Sequence, residues 1–213
     1  LVMSVFSYDA HAEYIYGKCS FACEEIPRDK DVLYRLGQAQ KTQLNSNKLS
    51  VLVWNLYKGR KKEFSDVFAK LSKNRDVIML SEAVTADPVS TALSKVSGYG
   101  WDMSAAFLMK DQVATGTAIG SYAQPQEVKF YRTKDIEPFV KSPKATTLTK
   151  YAIPGSSKTL LAISIHGINW DGDESMVRQI EMLMPDIENH DGPVIFAGDF
   201  NFKNENRLKL ATE

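Results

Sequence analysis

With 213 residues, 44% apolar composition and 26 basic side chains against 26 acidic ones, the chain can bury one core of domain size and has no net charge at neutral pH. Zero net charge excludes a protein that depends on tight non-specific contact with nucleic acid, although brief contact with a nucleic-acid phosphodiester stays open. No apolar run approaches a membrane span and no basic-then-apolar leader heads the sequence, so the expectation is a cytoplasmic monomer without a transmembrane segment.

Residues 1–48 carry little pattern. VMSVF and YIYG have the composition of short strands, KDVLYRLGQAQ (30–40) puts Val32, Leu33 and Leu36 on one side of a weak helix, and KTQLNSNK is a polar link. The segment reads as an N-terminal arm (1–48) packed on a main domain (49–213), because it holds too little apolar sequence for a core of its own. Cys19 and Cys23 have only His11 as a nearby histidine, short of the four ligands of a structural zinc site. Two ordinary thiols in a reducing compartment are expected, with a local disulfide as the second reading.

From residue 49 the pattern sharpens. LSVLVWN (49–55) is dense in β-formers and stops at Asn55. Phe64, Val67, Phe68 and Leu71 form one stripe of a helix over about 62–73, and DVIML (76–80) is the next strand, entering Ser-Glu-Ala. Strand, crossover helix and strand build a parallel pair. A short helix over 89–96 has Pro88 in its first turn. Segments 102–109, 115–122, 127–131, 146–153 and 159–165 are β-prone and separated by KDQ, QPQ and PGSS, which predicts a largely antiparallel meander. Residues 174–189 predict a helix with Met176, Ile180, Leu183 and Ile187 on one face, kinked or broken at Pro185. HDGP then turns the chain into IFAGDFN (195–201). The interleaving of helices and strands is that of an α/β fold with two packed sheets.

Four apolar β-runs expire on a polar residue: Asn55 after VLVW, Glu82 after VIMLS, His166 after LLAISI, and Asp199 with Asn201 after VIFAG. Each has a bland account: a turn cap, a solvated carboxylate, a loop-bonding imidazole, an ordinary Gly-Asp turn. Together they are residue types that suit one metal–phosphate centre, and layered α/β folds gather their ligands at strand ends.

LVWNLYKG, IMLSEA, ISIHGINW and IFAGDFN, in that order across residues 49–210, resemble the successive motifs of the endonuclease/exonuclease/phosphatase superfamily, the DNase I-like hydrolases, and within it the bacterial YafD-like branch. The resemblance implies a four-layer α/β sandwich, two packed mixed β-sheets flanked by helices. It implies a magnesium-dependent phosphoesterase, with Mn²⁺ as the substitute ion, acting on a phosphodiester or phosphomonoester substrate. By position, Glu82 would be the metal carboxylate, with Asn55 beside it as a neutral metal ligand. Asp199 would orient or deprotonate water, held by Asn201, and His166, helped by Asn169, would meet a non-bridging phosphate oxygen. Lys144 and Trp170 are further candidates on the same rim, while the basic cluster at 59–62 reads as the solvated opening of a helix. The resemblance also implies a closing Asp-His segment. The sequence stops at Glu213 before any such segment, and none of His11, His166 and His190 takes its place, so the expectation is a domain (49–213) that lacks its carboxy-terminal strand or strands, or else a degenerate member. The general base is therefore unassigned and slow hydrolysis is expected. The alternative is a non-catalytic or degenerate member that acts as a phosphate-ligand or protein-binding domain.

Overall fold

A strand that is apolar on both faces needs a cover on each side, and the third and eighth strands of this chain meet that condition. In the computed structural model, which describes residues 19, 23–45, 48–203 and 205–210, two mixed sheets pack face to face with helices outside. VMSVF, YIYG and His11 lie outside the described residues.

The first sheet contains β1 (Leu33–Gly37), β2 (Val51–Asn55), β3 (Val77–Val84), β4 (Gly100–Met109) and β5 (Val113–Ser121), in the order β1-β4-β5-β3-β2. The second runs β6-β7-β8-β9, with β6 at Glu127–Arg132, β7 at Ala145–Ala152, β8 at Thr159–His166 and β9 at Val194–Asp199. Each sheet ends in one parallel pair, β2 with β3 and β8 with β9, and the other pairings are antiparallel.

Alternation assigns the faces. On β3, Val77 and Met79 enter the layer between the sheets with Ile119, Tyr151, Leu160 and Ala162, whereas Ile78 and Leu80 pack outward with Phe64 and Phe68. On β8, Leu161, Ile163 and Ile165 face outward with Leu183. Some polar atoms inside the layer are paired across it: Thr147 Oγ1 bonds both Thr117 and Ser104, and Ser81 Oγ donates across the sheets to the Ile165 carbonyl.

Helix α1 (Phe64–Leu71) crosses from β2 to β3, burying Phe64 and Phe68, and α2 (Val89–Ser94) follows β3. The expected break at Pro185 is present: α3 (Gly172–Glu181) stops, and α4 (Met184–Glu188) restarts with the proline in its first turn, where its missing N–H does no harm.

Two sequence expectations fail. The weak helix at 30–40 is a 3₁₀ turn (Asp29–Asp31) followed by β1, which pairs with β4 from Leu33↔Ser104 to Gly37↔Gly100. A neighbouring strand offers backbone hydrogen bonds that local pattern cannot reveal, and Gly37 turns there at φ +70 where a Cβ would lie 2.5 Å from the Tyr99 carbonyl oxygen. The two cysteines expected to be free thiols are joined as a Cys19–Cys23 disulfide. The polar tail, for which the sequence raised no expectation, forms α5 (Glu205–Leu210), which has no apolar stripe to announce it. Its anchor is the buried Arg207, which donates to the carbonyls of Ile168 (2.9 Å), Gly172 (2.7 Å) and Asn201 (3.2 Å) and pairs with Asp173 (2.8 Å).

Candidate functional site

The carboxyl ends of the two parallel pairs come to one rim. Asn55 closes β2, and His166 at the end of β8 lies in register with Asp199 at the end of β9. Glu82 arrives by a different route from the one its sequence suggests. It does not follow a strand end but sits inside β3, at a bulge where pairing with β5 jumps from Leu80↔Ala118 to Ala83↔Gly116. The extra residue lets Leu80 and Ala83 both face the outer core while Glu82, at φ +51, is pushed out of the ladder. A left-handed glutamate costs roughly 1–2 kcal/mol. Tyr57, Lys58 and Asn201 are left-handed too, so four strained non-glycine residues gather around one rim.

Asn55 sits at the junction. Its Nδ2 donates to Asp199 Oδ2 at 2.7 Å and to Glu82 Oε1 at 3.3 Å, and its Oδ1 accepts the Tyr57 backbone N–H at 2.9 Å. The other Glu82 oxygen accepts from Lys58 Nζ at 2.6 Å. Burial opposes ionisation of Glu82, but the Lys58 ammonium and the Asn55 amide outweigh it and hold its pKa below the usual carboxylate range. Asp199 Oδ1 accepts the Asn201 backbone N–H at 3.1 Å, and the Asn201 side chain donates to the Gly167 carbonyl at 2.8 Å, tying the loop after β9 to the loop after β8.

Packing around the His166 ring, then the nearby Lys144 ammonium, lower its pKa to about 3 against the opposing pull of Glu82 and Asp199. The imidazole is therefore neutral at physiological pH. Lys144 Nζ lies 3.5 Å from its Nε2, and since an ammonium only donates, that nitrogen reads as the acceptor. Lys144 is itself paired at 3.2 Å with Glu137, a residue 2% exposed whose two oxygens also receive the backbone N–H groups of Asn169 (2.7 Å) and Trp170 (3.0 Å). Glu137 thus fixes Lys144 and the loop after β8 together. Asn169 Oδ1 is buried without a hydrogen-bond partner. Trp170 stands exposed, with Lys203 Nζ 3.4 Å from its ring centroid and Phe139 edge-on. Trp54, by contrast, turns inward onto Phe64 and Phe68.

The structure therefore brings Asn55, Glu82, Asp199 and His166 together, with Asn201 and Asn169 in the flanking loops. Lys58 and Glu137 belong to the same network and were not singled out by sequence. Lys58 is visible in LVWNLYKG as a lysine three residues after Asn55, but Glu137 has no local signal. Among the described residues no three His, Cys, Asp or Glu side chains cluster as a metal cage. A cavity of about 790 Å³, lined by Lys41, Arg75, Asp76, Tyr99 and Tyr122, lies at the opposite ends of β2 and β3. Among the described residues no helix is long and apolar enough to cross a membrane.

No family model matches the chain. Its sequence relatives are bacterial UPF0294 proteins. It is 32% identical over 161 residues to a UPF0294 protein of Vibrio campbellii, covering 75% of this chain and 55% of that protein. It is 29% identical over 169 residues to one of Klebsiella pneumoniae, covering 75% and 59%. The chain thus spans a little over half the length of these curated relatives. Solved structures share the fold. They include an endonuclease/exonuclease/phosphatase family protein from Leptotrichia buccalis (TM-score 0.58, 15% identity, 76% of this chain and 73% of that one). Truncated TDP2 of Caenorhabditis elegans (0.55, 16%, 75% and 64%) and sphingomyelinase C of Streptomyces griseocarneus (0.54, 16%, 77% and 68%) share it as well. The architecture is that of the DNase I-like α/β sandwich.

Proposed function

We propose that the rim of Asn55, Glu82, His166, Asn169, Asp199 and Asn201 is a phosphoester-hydrolysing centre that works with a divalent cation, Mg²⁺ or Mn²⁺, on a phosphodiester substrate. The observation that carries this reading is the single Asn55 amide bonded to both Glu82 and Asp199, at 3.3 and 2.7 Å. Two carboxylates gathered on a strained rim beside a neutral imidazole suit water activation next to a cation.

The donor set fits such an ion. Glu82 and Asp199 are hard oxygen donors, and Mg²⁺ keeps several waters and leans on phosphate oxygens, so a cage of three acidic residues is not required. Glu82 would hold the ion. Asn55, whose oxygen is engaged by Tyr57 N–H and whose N–H groups face the carboxylates, orients Glu82 and Asp199. When bound, the ion offsets the phosphate charge. Asp199 keeps a free lone pair on each oxygen beyond the bonds from Asn55 and Asn201, so it can accept a proton of the attacking water without turning. Neutral His166 donates its ring N–H to a non-bridging oxygen, and Asn169, in the loop that Glu137 fixes, flanks that side of the rim. The sphingomyelinase and TDP2 likenesses leave lipid, nucleotide and nucleic-acid phosphodiesters as the substrates to compare. The Cys19–Cys23 bond fits an oxidising compartment better than the reducing one that free thiols implied.

The test is hydrolysis of bis-p-nitrophenyl phosphate and nicking of plasmid DNA with Mg²⁺, Mn²⁺ or chelator, beside calorimetric titration of each ion. Metal-dependent hydrolysis lost in Asp199→Asn is the expected result. Neither hydrolysis nor divalent binding would replace this reading with a binding domain.

A further inference from the structure

Lys58 reaches Glu82 through a costly local conformation. Tyr57, Lys58 and Gly59 are three successive left-handed residues, with φ of 49, 54 and 69°. Their turn is closed by hydrogen bonds from Gly59 N to Leu56 O (2.9 Å) and from Arg60 N to Tyr57 O (3.1 Å), and the Asn55 side chain pins its start. Gly59 is packed so tightly that a Cβ would lie 2.9 Å from Val89. The lysine ends 2.6 Å from Glu82, itself left-handed, with both side chains about four-fifths buried at 22% and 19% exposure. The neighbouring Arg60 and Lys61 lie over the Tyr57 ring instead, 5.6 and 5.7 Å from its centroid. An ordinary surface ion pair adds little and does not call for two strained segments to meet. The contact occupies the carboxylate that the preceding reading gives to the metal.

Resting on that phosphoesterase reading, we propose that Lys58 is a resident cation that competes with the divalent ion for Glu82 and moves onto the substrate phosphate once the ion is bound. The two ligands then become coupled. Without phosphate, Lys58 weakens metal binding by holding Glu82 and repelling the ion. With metal present, the released ammonium has the phosphate as its partner, so each ligand favours the other, and by linkage to the same degree.

The experiment is calorimetric titration of Mn²⁺ into wild type, Lys58→Met, Lys58→Gln, Lys58→Arg and Glu82→Gln, without substrate and after a check that each variant melts cooperatively. Removing the charge at Lys58 should tighten Mn²⁺ binding roughly 3- to 10-fold. Lys58→Gln should match Lys58→Met, Lys58→Arg should not tighten, and Glu82→Gln should bind no ion. Inorganic phosphate titrated into the Mn²⁺-loaded proteins should bind several-fold more weakly to Lys58→Met than to wild type. If wild type binds Mn²⁺, Glu82→Gln does not, and both neutral variants bind it no tighter than wild type, the competition is overturned while the site stands. If wild type and both neutral variants bind no Mn²⁺, the phosphoesterase reading itself fails.

Discussion

Asn55→Asp preserves the shape of the side chain and reverses what it offers to its neighbours. Asn55→Ala removes two N–H donors to carboxylates, each bond contributing about 1.5–3 kcal/mol when formed to a charged group. The 3.3 Å bond to Glu82 belongs at the low end, and partial re-solvation of the two anions offsets part of the loss, so about 2–3 kcal/mol is expected in all. Asn55→Asp adds an oxygen anion where an amide nitrogen lies 2.7 and 3.3 Å from two carboxylate oxygens. Even with the screening of bulk water, unit charges about 3 Å apart repel by about 1.4 kcal/mol per pair, so Asn55→Asp should cost about 2–3 kcal/mol beyond Asn55→Ala. The sign with pH follows. The folded-state pKa of the new carboxyl is raised above about 3.9, so its favourable protonated form is present at low pH and lost as pH rises through that raised value. Urea denaturation followed by tryptophan fluorescence at pH 5 and pH 8, in chelator, should show the deficit relative to alanine shrinking on acidification. Mn²⁺ at pH 8 should shrink it as well. Equal stability of the aspartate and alanine variants at both pH values would refute the reasoning, because Asn55 would then not be wedged between two ionised carboxylates.

Glu82→Gln should keep a cooperative urea transition at a cost of about 1–3 kcal/mol, because it leaves the mostly buried Lys58 without its anion, while calorimetry shows divalent binding gone. Asp199→Asn should keep metal affinity and lower bis-p-nitrophenyl phosphate turnover about a hundredfold to ten-thousandfold, the usual loss for a proton-transfer group. The His166 pKa of about 3 lies below the unfolded value, so the stability that His166 contributes is complete above about pH 6.5 and is lost as pH falls from there toward 3. The slope approaches ~1.4 kcal/mol per pH unit, and urea midpoints across that window should flatten in His166→Gln. Gly198→Ala places a Cβ 2.0 Å from the Ile165 carbonyl oxygen at φ +147 and should cost roughly 3 kcal/mol or more by urea denaturation. Gly155→Ala, left-handed with nothing within 4 Å, should cost only about 1–2 kcal/mol.

Most of the architecture was readable from local pattern because its signals are local. β3 and β8 are apolar on both faces, α1 repeats its stripe at helical spacing, and Pro185 interrupts the helix that contains it. Asn55, His166 and Asp199 stood out for the same reason, each a polar residue where such a run stops. Only the tertiary structure decided the rest. β1 exists because β4 offers a hydrogen-bonding edge, and α5 because Arg207 finds carbonyls in the loops after β8 and β9 and at the start of α3. The bulge that turns Glu82 out depends on pairing with Gly116 and Ala118, and the loop after β8 is held by Glu137, more than thirty positions earlier. Periodicity and turn chemistry record interactions between near neighbours in the chain. Pairing register, strained dihedrals and the meeting of Lys58 with Glu82 depend on distant segments, and no window of sequence contains both partners.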